Sequence, residues 1–154
     1  MVPQGKRVFR NMTVKENIEL ATHFWKSRQN FEDELERVLT MFEELKPFLK
    51  MPAGNLSGGQ QQMVALARVF TNKPKMVLMD EPSIGLSPKL INDTFYKIKD
   101  IKDKTGAAFV IVEHNLKTLL PLTNFAYILK DGKVAYAGES KGSVLEKMMN
   151  AVFD

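Results

Sequence analysis

Two short apolar runs, Met76-Val77-Leu78-Met79 and Ala107-Ala108-Phe109-Val110-Ile111-Val112, stand on either side of a stretch with helical periodicity. A strand covered on both faces reads as a continuous hydrophobic run instead of an alternating one. The runs therefore predict short buried strands over Lys75 to Asp80 and Ala107 to Glu113. Between them, Pro88 to Lys104 predicts a helix, with Ser87 placed to cap it and Pro88 at the first helical position. Strand, helix and strand in that order make an α/β layered core the expected fold class.

The residues before this core carry a different rhythm. Thr13-Val14-Lys15-Glu16 is a capping box, and Val14, Ile18, Ala21 and Trp25 recur at three- and four-residue spacing, so a helix is predicted from about residue 14. Phe31, Leu35, Val38, Phe42 and Leu45 predict a second helix that stops at Pro47, where the backbone donor is lost. A third opens after a glycine pair and runs through Met63, Leu66, Ala67 and Phe70. Downstream, Tyr127 to Lys130 and Val134 to Tyr136 flank Asp131-Gly132-Lys133, a turn sequence suited to a hairpin. A short helix precedes that hairpin, and a last one is expected over Lys141 to Met149. The organisation predicted is a helical module over residues 1–70 and an α/β part over residues 71–154.

Composition sets limits on function. The 154 residues are 44% hydrophobic and 26% charged, enough for a real core. The 22 basic and 18 acidic residues leave a net charge of only +4, with the lysines spread along the chain, so nucleic acid is not an expected partner. The chain contains no cysteine, which excludes a disulfide framework and a thiolate metal site and points to a reducing, cytosolic setting. Neither apolar run approaches the ~20 residues that cross a bilayer. Any membrane role is expected to work through partners, and the charged N-terminus lacks the apolar core of a secretory signal.

Three short segments carry chemistry. In Leu56-Ser57-Gly58-Gly59-Gln60, a serine and two glycines open a helix and present a hydroxyl and backbone amides at the positive end of the helix dipole, which suits a phosphate. An ordinary capping box accounts for Ser57 and Gln60 but for neither glycine. In Met76-Val77-Leu78-Met79-Asp80-Glu81, two carboxylates end an apolar strand, where ligand sites of open α/β sheets lie. One acid there can hold Mg²⁺ through water while its neighbour orients a nucleophilic water. His114 follows the second apolar run and can donate to a phosphoryl oxygen. His23 sits in a helical pattern with no cluster and is assigned no function.

Taken together, these segments resemble the nucleotide-binding subunits of ATP-binding cassette transporters, over nearly the whole chain. Leu56 to Gln60 is similar to the family signature, Met76 to Asp80 to the Walker B strand, and Glu81 to the catalytic glutamate. Ser83-Ile84-Gly85-Leu86-Ser87-Pro88 resembles the D-loop, His114 the switch histidine, and Val2-Pro3-Gln4 the Q-loop. The resemblance implies a P-loop NTPase-like three-layer core with an inserted helical subdomain, and ATP and Mg²⁺ as ligands. It implies that Ser57, Gly58, Gly59 and Gln60 contact a partner subunit's nucleotide, that Asp80 and Gln4 serve the metal, and that Glu81 and His114 act in hydrolysis. The implied partners are a second nucleotide-binding subunit, head to tail, and transmembrane permease subunits, with the protein peripheral on the inner face of the cell membrane. Glu81 to Pro88 and Val112-Glu113-His114-Asn115 look most like the branched-chain amino acid importers.

The sequence departs from the family pattern in two places. Ser87 stands where many relatives have aspartate. More consequentially, no G-x-x-x-x-G-K-[ST] occurs: Gly5-Lys6 is followed by Arg7, and Gly132-Lys133 by Val134. The phosphate-loop strand is therefore expected to be missing, leaving apolar surface and a sheet edge uncovered, and the chain alone is expected to be inactive. Two other readings follow: a non-enzymatic interaction fragment, and an ATPase of this family serving DNA repair or translation. About forty helical residues before the signature, where repair relatives insert a long coiled coil, and a single cassette argue against the last.

Overall fold

Thr13 opens the first helix as the sequence requires. Its hydroxyl accepts from the Glu16 amide at 3.2 Å, and the Glu16 carboxylate takes the Thr13 amide at 2.7 Å, satisfying two donors that a helix start leaves unpaired. The computed structural model describes residues 2, 8–24 and 30–140, which fall into two compact units, Met1–Glu113 and His114–Asp154.

In the first unit, α1 (Val14–Glu19) is shorter than predicted and tightens into a 3₁₀ segment, Leu20–Phe24; Trp25 lies outside the described residues. Asn17, which no periodicity singles out, is fully buried within α1. Its carbonyl accepts the Phe9 amide at 2.8 Å, and its amide donates to the Phe9, Met12 and Thr13 carbonyls at 2.9, 3.2 and 2.9 Å. A buried amide so fully paired ties residues 9–13 to the helix instead of destabilising it.

The second helix also differs from expectation. α2 (Phe31–Met41) ends at Phe42, whose φ of −126° and ψ of 53° leave the helical region, and a separate 3₁₀ turn, Glu43–Phe48, contains Pro47. The break has a packing reason. Phe42 and Leu45 are both completely buried, and a 3₁₀ turn brings side chains three residues apart onto one side. Acidic Glu32, Asp33 and Glu34 occupy the first turn of α2, where the dipole favours negative charge.

α3 (Gly58–Phe70) is the helix around which this unit is built. Gln62, Met63, Val64, Ala65, Leu66, Ala67 and Phe70 are buried, so it is covered on nearly every side, as a core helix must be. Its C-terminal end is held by α2: Arg37 donates from Nη2 to the Phe70 carbonyl at 2.7 Å and from Nε to Glu34 at 2.7 Å, while Lys73 meets Glu34 at 2.6 Å. Burial alone raises the Glu34 carboxyl, but the hydrogen bonds from Lys73 and then Arg37 outweigh it and hold the group below its ordinary value of 4.5.

β1 (Met76–Asp80) and β2 (Ala108–Val112) pair in parallel, with Met76 opposite Ala108 and Asp80 opposite Val112. α4 (Pro88–Thr105) connects them, starting after Ser87, whose side chain makes no capping bond, and ending at left-handed Gly106. Val2 pairs in parallel on the other side of β1: its amide donates to the Leu78 carbonyl at 2.8 Å, and its carbonyl accepts the Asp80 amide at 3.1 Å. One sheet face is covered, with Val77 and Met79 buried and Phe109 stacked on Phe70 at 6.1 Å between ring centroids. The other leaves Met76, Leu78, Val110 and Val112 between 44% and 57% exposed, so the strands are covered on one face only and not buried on both as their continuous apolar runs predict.

The second unit holds α5 (Leu116–Leu119), a 3₁₀ turn Leu120–Leu122, and a hairpin of β3 (Phe125–Lys130) and β4 (Lys133–Glu139). Asp131 and Gly132 both take positive φ, 52° and 72°, the geometry of a two-residue turn matched to strand twist. Ser140 closes the hairpin base through its hydroxyl to the Thr123 carbonyl at 2.6 Å. The helix expected over Lys141 to Met149 lies outside the described residues.

Because folding lowers the Glu34 carboxyl, its stabilisation is fully present above the unfolded value and fades as pH falls through the folded one. Glu34→Gln should therefore destabilise the chain by about 1–2 kcal/mol at pH 7. Urea unfolding of both proteins should show that difference shrinking below pH ~4; a gap that widens in acid would mean that folding raises this carboxyl instead of lowering it.

Candidate functional site

The start of α3 satisfies its own serine. Ser57 accepts the Gln60 amide at 3.3 Å, Gln60 Oε1 accepts the Ser57 amide at 2.9 Å, and Gln61 donates from Nε2 to the Leu56 carbonyl at 3.0 Å. The capping box is thus real, and it consumes the amides of Ser57 and Gln60. Gly58 and Gly59, the first two helical residues, have no carbonyl four positions back within the helix to bond. Ser57 and Gly58 are exposed, whereas Gly59 is buried.

The structure gives the glycine pair a packing role that the sequence did not disclose. A Cβ on Gly58 would come within 3.1 Å of Leu86 Cδ2, and one on Gly59 within 3.1 Å of Leu90 Cδ2. Leu86 belongs to the turn after Glu81 and Leu90 to the first turn of α4. The helix start is therefore seated against the segment that leaves the acidic strand end, as close as residues without side chains allow.

That strand end is built from backbone. Parallel pairing brings the C-terminal ends of β1 and β2 to one edge, so Asp80 and Glu81 emerge beside Val112 and Glu113. Glu81 takes φ 43°, a left-handed conformation unusual for a residue with a Cβ. Its amide donates to the Val112 carbonyl at 2.9 Å, and its carbonyl accepts from Ile84 at 3.2 Å. Ser83, buried in the same turn, donates from its amide and hydroxyl to Glu113 at 3.2 and 2.6 Å. No local signal marks this last pair, since thirty residues of sequence separate its members.

His114 opens the second unit directly after Glu113; it is exposed, and its carbonyl accepts from the Leu116 amide at 2.9 Å. Gln4 lies outside the described residues. Among the described residues no three of His, Cys, Asp and Glu converge on a point that could cage a metal. Adjacent carboxylates at an open strand end suit a hard cation such as Mg²⁺, which keeps several waters and binds with a phosphate-bearing substrate. Among the described residues no helix is long and apolar enough to cross a membrane.

A helical part packed on a parallel α/β sheet, with a crossover helix between the strands, fits a truncated fold of the P-loop NTPase kind. The family model described as ABC transporter matches residues 1–84, and the chain belongs to that family. It is 37% identical over 134 residues to the high-affinity branched-chain amino acid transport ATP-binding protein BraG of Pseudomonas aeruginosa, covering 87% of this chain and 57% of that protein. It is 36% identical over 137 residues to the probable branched-chain amino acid transport ATP-binding protein LivF of Archaeoglobus fulgidus, covering 89% and 58%. The chain thus spans under two thirds of the length of these relatives. The ATP-binding cassette MJ0796, solved as a post-hydrolysis dimer bound to ADP and Pi, superposes with a TM-score of 0.75 and 28% identity over 92% of this chain and 62% of that one.

Capping and any other role of Ser57 separate cleanly by substitution. Ser57→Ala should lower unfolding free energy by about 1 kcal/mol, while Ser57→Asn, an equally good cap, should stay near the parent value. Urea denaturation of the three chains measures both, and an alanine variant as stable as the parent would show the box to be idle.

Proposed function

We propose that this chain supplies the signature and hydrolytic residues of a cassette ATPase that energises import of a small solute, with branched-chain amino acids as the first class to test. The observation that supports this most is the seating of the Ser57-Gly58-Gly59 helix start against the turn that carries Glu81. The likeness to BraG and LivF supports the solute class.

In this reading the amides of Gly58 and Gly59 and the Ser57 hydroxyl face the terminal phosphate of ATP held by a second subunit, at the positive end of α3. Glu81 orients the attacking water. Asp80, with Gln4, would hold Mg²⁺, which when bound would supply neutralising charge to the transferring phosphoryl group. His114 donates to the transferring phosphoryl group. The α1 to α3 helical part of residues 1–70 passes the motion to permease subunits, which places the assembly on the inner face of the cell membrane.

A second reading, the non-enzymatic fragment, is favoured by the lack of a G-x-x-x-x-G-K-[ST] segment in these 154 residues. The two separate experimentally. When the chain is fused behind the phosphate-loop portion of BraG, Mg²⁺-dependent phosphate release from ATP should appear, and Glu81→Gln should lower it by roughly two or more orders of magnitude. The unfused chain should bind labelled ATP more weakly than micromolar. Turnover indifferent to Glu81→Gln would remove that residue from its role, and a fusion without turnover would favour the fragment.

A further inference from the structure

Glu81 is held in a backbone conformation that it would not adopt unaided. At φ 43° its Cβ crowds the following carbonyl, and such a residue persists only where its surroundings over-determine it. The restraints come from the end of β2. The Glu81 amide is anchored on the Val112 carbonyl at 2.9 Å, and two residues further on Ser83 is anchored on the neighbouring Glu113 side chain. Pro82, between the anchors, is buried and has no amide to offer.

The Ser83 to Glu113 contact has the geometry of a clamp. One carboxylate oxygen takes the amide at 3.2 Å and the other the hydroxyl at 2.6 Å, so both donors of the serine are spent on one side chain. Ser83 is only 7% exposed, which limits competition from water. Inside the turn, Ile84 donates to the Glu81 carbonyl at 3.2 Å and Leu86 to the Ser83 carbonyl at 3.1 Å. The loop is thus closed on itself and fastened at Glu81 to the last residue of β2 and at Ser83 to Glu113, the residue that follows it.

We infer that Glu113 is a positioning residue for Glu81: by gripping Ser83 it keeps the turn fastened to β2 and holds the Glu81 backbone left-handed. The inference rests on the reading of Glu81 as the residue that orients water. The same carboxylate belongs to the residue immediately before His114, so a single side chain joins the acidic turn to the segment leading into the histidine.

Two measurements test it. In the 154-residue chain, hydrogen exchange followed by NMR should show the Ser83 amide exchanging about tenfold faster or more in Glu113→Ala, with the Glu81 amide following and α3 amides unchanged. In the BraG fusion, Glu113→Ala and Ser83→Ala should each lower kcat by ~10-fold to ~100-fold while ATP affinity stays within about twofold, since misplacement of a reacting group acts on turnover. Ser83→Thr, which keeps the hydroxyl, should restore turnover, and the double alanine variant should be no worse than Glu113→Ala alone. Unchanged kcat, a loss confined to ATP affinity, or additive losses would each overturn the assignment. A parent fusion with no turnover would overturn the ATPase reading, while amide exchange would decide separately whether Glu113 holds the turn and the Glu81 backbone.

Discussion

Parallel pairing of β1 with β2 is the constraint on which the candidate site depends. Parallel strands point the same way, so their C-terminal ends, and whatever polar residues follow them, arrive at one edge. With Asp80 opposite Val112, the register delivers Asp80 and Glu81 beside Glu113 without any side chain having to choose that position. The helix between the strands is the physical condition for the pairing, because a parallel return needs a crossover long enough to run back along the sheet. α4 supplies it, and its first turn also meets the glycine-opened end of α3.

Helix propensity alone does not account for the residues of the candidate site. Ser57 and Gln60 form a complete capping box, which by itself would explain their presence. Gly58 and Gly59 are poor choices for helix stability, yet they let α3 approach Leu86 and Leu90 closely. Glu81 likewise takes an unfavourable backbone, offset by the hydrogen bond that its amide donates to the Val112 carbonyl at the end of β2. Local rules are broken at the residues proposed to carry chemistry.

Away from the site, polar groups do structural work that periodicity cannot announce. Asn17 uses its amide to close the loop before α1. Glu34, Arg37 and Lys73 join α2 to the end of α3 and the approach to β1. Helix α2 stops at Phe42, not at Pro47, because burying both Phe42 and Leu45 outweighs one more turn of regular helix.

The strands, the main helices, the capping boxes and the Asp131-Gly132 turn were all legible in the amino-acid order, because each depends on neighbours a few residues away. The segments proposed to carry chemistry, at Ser57, Gly58, Gly59, Asp80 and Glu81, could likewise be singled out from the amino-acid order, because each is contiguous. Tertiary structure alone decided that Ser83 meets Glu113, that Gly58 and Gly59 receive Leu86 and Leu90, and that Val2 pairs beside β1. Those contacts join residues far apart along the chain, and nothing in local propensity or spacing specifies which distant side chain will arrive.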